Sequence, residues 1–309
     1  MGQRIYPWAR QVPSSWDKPV WRIEKSLGFM KAIHIRVMKI EDRELGLRLS
    51  RQARWNQTEA DWLRFLHFEP DGCFVAELDG YAVGTTTTCV LGSVAWIAMV
   101  LVDVNARGRG IGTRLLRYAL DYLEDRRVLT IRLDATPAGR PVYEKLGFMP
   151  EYELARYEGM ASQYPASQIV TELAPGSYQD IVEFDKKETG TDRGKMLVRL
   201  FGEFPQGLRI VRRQSTVEGY VAIRPGANAV QVGPCVAVTY AGPPLLSDAL
   251  SRCRGKMVFM DVPKGNVDAV RFVEAAGLRV QRCFTRMYYG KRIDDNITAL
   301  WASSGPEKG

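Results

Sequence analysis

The sequence predicts a mixed α/β fold in which one unit of strands and helices occurs twice. Residues 33–157 predict elements in the order β-α-α-β-β-β-α-β-α-β, and a weaker copy of this order follows. The chain has 309 residues, which suits two domains of roughly 150 residues each. Hydrophobic residues make up 46% and charged residues 25%, so the chain can bury sizeable cores.

Periodicity and turn residues define the elements of the first unit. The strand at 33–37 alternates apolar and polar residues, and Thr58 with Asp61 predicts the start of a second helix. Asp79-Gly80 predicts a tight hairpin turn. The other predicted elements are a helix at 41–54, strands at 72–78, 81–90 and 94–103, a helix at 109–124, a strand at 128–134, a helix at 138–146 and a strand at 148–157.

The second unit is recognised from a repeated pattern at a helix end. Residues 140–148 and 270–278 both contain Glu-x-x-Gly followed by an apolar residue, and a strand ending in Asp134 or Asp261 precedes each. Residues 230–238 match the strand at 94–102. The copy therefore predicts a second domain of the same architecture.

These patterns divide the chain into five parts. We predict an N-terminal extension at 1–30, a first domain at 31–160, a linker at 161–168, a second domain at 169–291 and a polar, frayed tail at 292–309. The extension is interpreted as sequence upstream of the native start; the alternative is an arm that docks its aromatic residues on the body.

Composition excludes several classes of function. The net charge of +8 is spread out without a basic run, which argues against a nucleic-acid partner. Five widely spaced cysteines without a Cys-x-x-Cys pair fit a reducing cytoplasm, and two histidines exclude a His-rich metal site. No apolar run has the length of a membrane span, and residues 1–30 lack a secretory apolar segment.

The most informative segment is a glycine-rich loop between a strand and a helix, Val102 to Thr113. Its glycines allow a tight turn that exposes backbone N–H groups at the helix start, which predicts a phosphate site. Arg107, Arg109 and Arg114 add positive charge there. The loop has no Lys-Ser/Thr of a P-loop and differs in glycine spacing from the dinucleotide fingerprint.

Two motifs together resemble the GNAT N-acetyltransferase superfamily, and residues 55–57 and 133–137 resemble its bacterial tandem-domain form. Residues 107–112 match the family loop Arg/Gln-x-x-Gly-x-Gly/Ala, and residues 143–148 match its Tyr-x-x-x-Gly-Phe helix motif, with Tyr143 31 residues after Gly112. The chain departs from the family at Val104, where the family has Pro, and at Thr136, where it often has Asn.

The resemblance implies two tandem GNAT-like acyl-CoA N-acyltransferase domains and transfer of an acetyl group from acetyl-CoA to a primary amine. Backbone groups of Val102 and Val104 would contact the thioester and pantetheine, and Tyr143 would protonate the departing thiolate as general acid. The other cofactor-binding residues that it implies lie in the glycine-rich loop: Arg107, Gly108, Arg109, Gly110, Ile111, Gly112 and Thr113.

The acceptor site and the general base are less defined. The resemblance places Trp55, Asn56 and Gln57 in a helix–helix connection that lines the acceptor site. Asp134 is a further candidate at this site, and Asp103 or Asp134 could serve as the base. Deprotonation through water remains an equal alternative, and no metal is implied.

The second domain is predicted to be degenerate. Pro243 and Pro244 remove two N–H donors where a pyrophosphate would need them, and Val273 stands in the place of Tyr143. Asn266 retains the family position that Thr136 has lost. This domain would shape the acceptor pocket, bind a small effector or mediate packing, with six candidate pocket charges: Asp185, Asp192, Arg193, Arg224, Asp261 and Arg286.

The resulting prediction is a cytoplasmic, acetyl-CoA-dependent N-acetyltransferase whose partner is a small-molecule amine rather than nucleic acid or membrane. Two alternatives stay open: acetylation of a protein lysine or N-terminus, and a non-catalytic module that senses CoA or another ligand. A second domain that covers the cleft would favour a small acceptor, whereas an open groove would favour a peptide.

Overall fold

The computed structural model describes residues 33–173, 178–307 and 309, so the predicted extension at 1–30 lies outside the described residues. The first half follows the predicted order of elements. They are β1 Ile33–Val37, α1 Arg43–Gln52, α2 Glu59–Phe68, β2 Cys73–Leu78, β3 Tyr81–Leu91, β4 Val94–Val102, α3 Ile111–Asp125, β5 Thr130–Ala135, α4 Arg140–Lys145 and β6 Met149–Met160.

The second half repeats this order and adds one short strand. Its elements are β7 Val170–Thr171, α5 Gln179–Thr189, α6 Gly194–Glu203, β8 Arg209–Arg213, β9 Thr216–Arg224, β10 Val230–Ala237, α7 Gly242–Arg252, β11 Met257–Pro263, α8 Val267–Ala275, β12 Arg279–Gly290 and β13 Leu300–Ala302.

Two local predictions are confirmed in detail. Thr58 and Asp61 form a capping box at the start of α2, in which the Thr58 N–H donates to the Asp61 carboxylate at 2.9 Å. Asp79 and Gly80 both have positive φ, +54° and +82°, as a type I′ hairpin turn requires.

The two halves share one sheet because they exchange their last long strands. In the described part of the chain the strand order is β1-β2-β3-β4-β5-β12-β6-β11-β10-β9-β8-β7, and β13 pairs with β10. Thus β12 of the second half lies between β5 and β6, and β6 of the first half lies between β12 and β11. Each half therefore completes the sheet of the other.

Two buried ion pairs stabilise the exchange. The Arg286 guanidinium donates to both carboxylate oxygens of Asp134 at 2.8 and 2.9 Å, joining β12 to β5. The Arg156 guanidinium donates to both oxygens of Asp261 at 2.8 Å, joining β6 to β11. The two pairs occupy equivalent places in the two halves, so the repeat extends to the polar interior.

The helices cover opposite faces of the sheet. One apolar core contains Leu49 and Trp62 of α1 and α2 together with Trp96 of β4. A second core contains Leu115 of α3 together with Leu133 of β5. The first half therefore has an α1/α2 face and an α3 face, and this division determines which side chains meet in the cleft described below.

The end of the chain is ordered, so the prediction of a frayed tail at 292–309 is wrong for its described residues. Strand β13 pairs with β10, Trp301 is 1% exposed, and Glu307 is 3% exposed. The prediction failed because polar residues flank a short apolar strand, Leu300–Ala302, and this strand is buried against β10 and β11. Among the described helices none is long and apolar enough to span a membrane.

Candidate active site

A cleft of about 800 Å³ opens where β4 and β5 separate. The two strands pair only from Val94 to Trp96 and from Thr130 to Arg132. Beyond this pairing, Met99 has φ +51°, and the register between β3 and β4 shifts in the same stretch. The bulge breaks the regular pairing of β4, and such bulges commonly lie beside functional sites.

The glycine-rich loop forms one end of the cleft. Gly108 and Gly110 have φ values of +76° and +75°, and Gly110 caps the 15-residue helix α3. A Cβ atom at either glycine would meet no described atom within 4 Å, so the loop faces open space. The first N–H groups of α3 lack carbonyl partners within the helix, which makes this terminus suited to an anion.

Most of the predicted cofactor residues line the cleft, but two do not. Val104 is 55% exposed and, with Arg109, lies outside the lining. The Arg109 guanidinium donates to the Asn105 carbonyl at 3.4 Å. The predicted cofactor residues that do line the cleft are Val102, Arg107, Gly108, Gly110, Ile111, Gly112 and Thr113.

Tyr143 also lines the cleft, from α4. Its ring packs edge-on against Phe148 with the ring centres 6.1 Å apart, which fixes its position on the short helix. Burial raises the pKa of Tyr143 to about 12. The hydroxyl therefore stays protonated at neutral pH and can act as a proton donor.

Of the three residues predicted to line the acceptor site from the α1–α2 connection, two lie in the cleft and one contacts the second half. Trp55 and Gln57 line the cleft, and the buried Gln57 Oε1 accepts no hydrogen bond from any described residue. Asn56 lies outside the lining, and its side chain bonds the backbone of Asn228 and Ala229 at 2.9–3.1 Å. Asn56 therefore joins the two halves rather than facing an acceptor.

Both candidate bases are held in other interactions. Asp134 lines the cleft, but its carboxylate is the bidentate partner of Arg286. Asp103 accepts from the Asn105 N–H at 3.0 Å and also from Arg48 and Gln52. These contacts, the Asn105 N–H foremost, lower the pKa of Asp103 and weaken it as a base.

Residues far away in the sequence complete the cleft wall. Arg156 of β6, Arg282 and Phe284 of β12, and Glu307 line it. Glu307 accepts from Gln57 Nε2 at 3.2 Å and from Arg224 at 3.0 Å. Sequence motifs gave no indication of these four residues, because only the strand exchange and the ordered tail bring them to the cleft.

The charges proposed for a pocket in the second half are largely paired inside the protein. The Arg193 guanidinium donates to both oxygens of Asp185 at 3.0 and 2.5 Å. Asp192 pairs with Lys186 at 2.9 Å near the surface. None of the six predicted residues belongs to the lining of the large cleft.

In the second half, the gap equivalent to the cleft is filled by the chain itself. β10 and β11 pair only at Val230–Gln231, and β13 then pairs with β10 beyond that point. The Trp301 indole N–H donates to the Ala237 carbonyl at 3.2 Å, and its ring packs on Gly242 at the start of α7. Asn266 Nδ2 donates to the Leu300 carbonyl at 3.1 Å.

The start of α7 agrees with the predicted loss of phosphate donors. Pro243 and Pro244 occupy its first turn, where their nitrogen atoms carry no hydrogen. Within the described residues, no group of three or more His, Cys, Asp or Glu side chains is arranged to hold a metal ion.

Comparison with known proteins gives the same family for both halves. Residues 36–148 match the Acetyltransferase (GNAT) family model, and residues 181–302 match an Acetyltransferase (GNAT) domain model. Holothin acyltransferase of Pseudoalteromonas sp. (strain SANK 73390) is 26% identical over 261 residues, covering 83% of this chain and 87% of that protein. A mycothiol acetyltransferase of Thermomonospora curvata is 36% identical over 85 residues, covering 26% of this chain and 29% of that protein.

Solved structures match across nearly the whole chain. A putative acetyltransferase from Pyrococcus horikoshii superposes with a TM-score of 0.78 at 25% identity, covering 94% of this chain and 100% of that one. A GCN5-related N-acetyltransferase from Sphaerobacter thermophilus has a TM-score of 0.62 at 14% identity, covering 85% and 98%, and supports the fold alone.

Proposed function

Because the chain belongs to the GNAT acyltransferase family and carries the family's domain twice, we propose that its first half transfers an acetyl group from acetyl-CoA to a primary amine of a small molecule. The observation that carries this proposal is the continuous cleft. It connects the glycine-rich loop, Tyr143 and the α1–α2 connection, and so offers a phosphate site, a proton donor and an acceptor wall together.

The residues of the cleft suit the steps of acyl transfer. The start of α3 and Arg107 would hold the pyrophosphate of the cosubstrate, and the separated edge of β4 would receive the pantetheine arm and thioester. The amine nitrogen attacks the thioester carbonyl carbon, a C–N bond forms and the C–S bond breaks. Tyr143 gives its proton to the departing thiolate, and the amine proton passes to water, from which Tyr143 is reprotonated for the next turnover.

The lining of the acceptor end favours a small acceptor over a peptide. Phe284 of β12 and Glu307 of the tail join Trp55 in lining the cleft, so the second half contributes part of the wall of the site. Gln57 Oε1 is a buried acceptor atom without a described partner, and an amine N–H would satisfy it. Acetylation of a peptide is the second candidate, with fewer observations in its favour.

The second half, on this proposal, does not bind acetyl-CoA. Trp301 and β13 occupy its gap, and Pro243 and Pro244 remove two donors from its helix start. Its contribution to the reaction is β12 and the tail, which form part of the acceptor wall. A cytoplasmic location remains a prediction from the cysteine usage.

Thiol release from acetyl-CoA over a panel of small amines tests the proposal, with Tyr143→Phe as the key variant. We expect at least one amine to be turned over, and Tyr143→Phe to lower kcat by about 10²–10⁴-fold. Calorimetry should give the same CoA affinity for both proteins, because the hydroxyl is not a binding group. An unchanged kcat in Tyr143→Phe would remove this residue from the mechanism.

A further inference from the structure

Most charged side chains on the inner part of the cleft wall are neutralised by a buried partner. Asp134 is paired with Arg286, and Arg156 is paired with Asp261, each through two hydrogen bonds. Glu307 accepts from Arg224. Because these pairs leave little net charge to attract a ligand, a charged group without such a partner in the same wall is the one expected to bind an ionic ligand.

Arg282 is such a group. It is half-buried in the cleft wall, and its guanidinium donates one side-chain hydrogen bond, from Nε to Gln281 Oε1 at 3.1 Å. Among the described residues it has no carboxylate at salt-bridge distance. Burial first, and then the positive charge of Arg156, lower the pKa of Arg282, and the more distant carboxylates of Asp261 and Glu158 offset this only in part. An anion beside Arg282 would therefore be favoured.

Strand alternation places Arg282 on the acceptor side of the sheet. Met287 packs in the α3 core, so Arg286, Phe284 and Arg282, at alternate positions of β12, face the α1/α2 side. The Arg286 guanidinium lies 4.6 Å from the Trp96 ring centre, which belongs to the α1/α2 core. Arg282 therefore lies on the face opposite the helix that begins at the glycine-rich loop.

Arg54 also lines this end of the cleft without an ion pair among the described residues, and it differs from Arg282 in environment. It lines the cleft from the α1–α2 connection but is exposed, so water solvates its charge. A half-buried guanidinium gains more from an anionic partner than an exposed one, because its own solvation is already reduced.

We propose that Arg282 binds an anionic group, a carboxylate or a phosphate, that the acceptor amine carries in addition to its amino group. Gln57 Oε1 receives the amino end, and Arg282 receives the anionic end. This inference rests on the proposed acetyl transfer and narrows its substrate class to small amines with a second, negatively charged group.

Matched pairs of amines test the subsite. Each pair has the same amino group with and without the anion: an amino acid against its amide, and an amino-sugar phosphate against the amino sugar. For one of the two pairs, wild-type kcat/KM should favour the anionic member by about 10–100-fold, the range of a charged hydrogen bond. The pair that shows the preference identifies carboxylate or phosphate as the anion.

Variants of β12 assign the preference to Arg282. Arg282→Gln should abolish the kcat/KM preference for the anionic amine, leaving a ratio of about 1, because the KM for that amine rises. Arg282→Lys keeps the positive charge and should retain part of the preference. Arg279→Gln is the matched control, because Arg279 lies on the same strand, is exposed and is outside the cleft lining. An increased KM for acetyl-CoA in Arg282→Gln, with amine preference unchanged, would place a CoA phosphate at Arg282 and overturn the proposal.

Direct binding separates this proposal from the proposed reaction. Calorimetry of the CoA-saturated protein measures affinity for the same amines without turnover. Binding of anionic amines that Arg282→Gln abolishes, together with no thiol release from any amine, would keep the subsite and refute the acetyl transfer. Equal turnover and equal binding of both members of every pair would keep the reaction and refute the subsite.

Discussion

Trp301 gives the sharpest test of how firmly the chain fills the gap between β10 and β11 in the second half. Its indole is 1% exposed, packs on Gly242 and donates to the Ala237 carbonyl, so truncation leaves both a cavity and an unpaired carbonyl. Trp301→Ala should cost about 3–5 kcal/mol of unfolding free energy. At about 2 °C per kcal/mol for a chain of this size, the melting temperature should fall by about 6–10 °C.

Thermal unfolding and CoA calorimetry together decide the outcome. Trp301→Phe is the matched control: it keeps an aromatic ring, loses only the N–H and part of the volume, and should cost less than about 2 kcal/mol. Both variants should still bind one CoA per chain, because Pro243 and Pro244 remain. An unchanged melting temperature in Trp301→Ala, or a second bound CoA, would refute this reasoning.

Three further predictions address the exchange, the loop and the proton donor. Asp134→Asn removes the bidentate anion of the buried Arg286, leaves it with the more distant Asp295 carboxylate at 3.8 Å, and should lower stability by about 3–5 kcal/mol in urea unfolding; a loss below 1 kcal/mol would contradict it. Gly110→Ala forces a side chain into φ +75°, and should raise the KM for acetyl-CoA at a stability cost of about 1–2 kcal/mol; an unchanged KM would contradict the loop assignment. With the Tyr143 pKa at about 12, kcat should show no fall through pH 10, and a fall near pH 9 that Tyr143→Phe abolishes would contradict this. Because the pKa of Tyr143 is raised to about 12, the folded protein keeps the hydroxyl proton to a higher pH than the unfolded protein does. The stabilising contribution of this group is therefore complete below pH 10 and decreases as the pH rises from 10 to 12.

Local sequence patterns predicted the elements well because each pattern acts over a few residues. The capping box at Thr58, the turn at Asp79-Gly80 and the glycines of the loop all fix the backbone within one turn of themselves. The glycine-rich loop and Tyr143 were therefore found at the cleft without knowledge of the tertiary structure.

Patterns of this kind did not predict which side chain of a short segment enters the site. Asn56 and Gln57 are adjacent and chemically alike, but Asn56 bonds the backbone of a second-half loop and Gln57 faces the cleft. The choice depends on where residues 228–229 lie, and that position is set by the sheet as a whole. Arg282 and Glu307 were missed for the same reason.

The asymmetry between the two halves follows from β13 more than from the strands that they share. Asp134–Arg286 and Asp261–Arg156 occupy equivalent places, and β4 and β10 each part from their neighbour after two or three residue pairs. In the first half this separation leaves the cleft open; in the second it is closed by β13. The same segment then continues to Glu307, which lines the cleft of the first half. One short segment therefore fills the gap in the second half and helps to build the cleft wall of the first, and the exchanged strands β6 and β12 make the two effects inseparable.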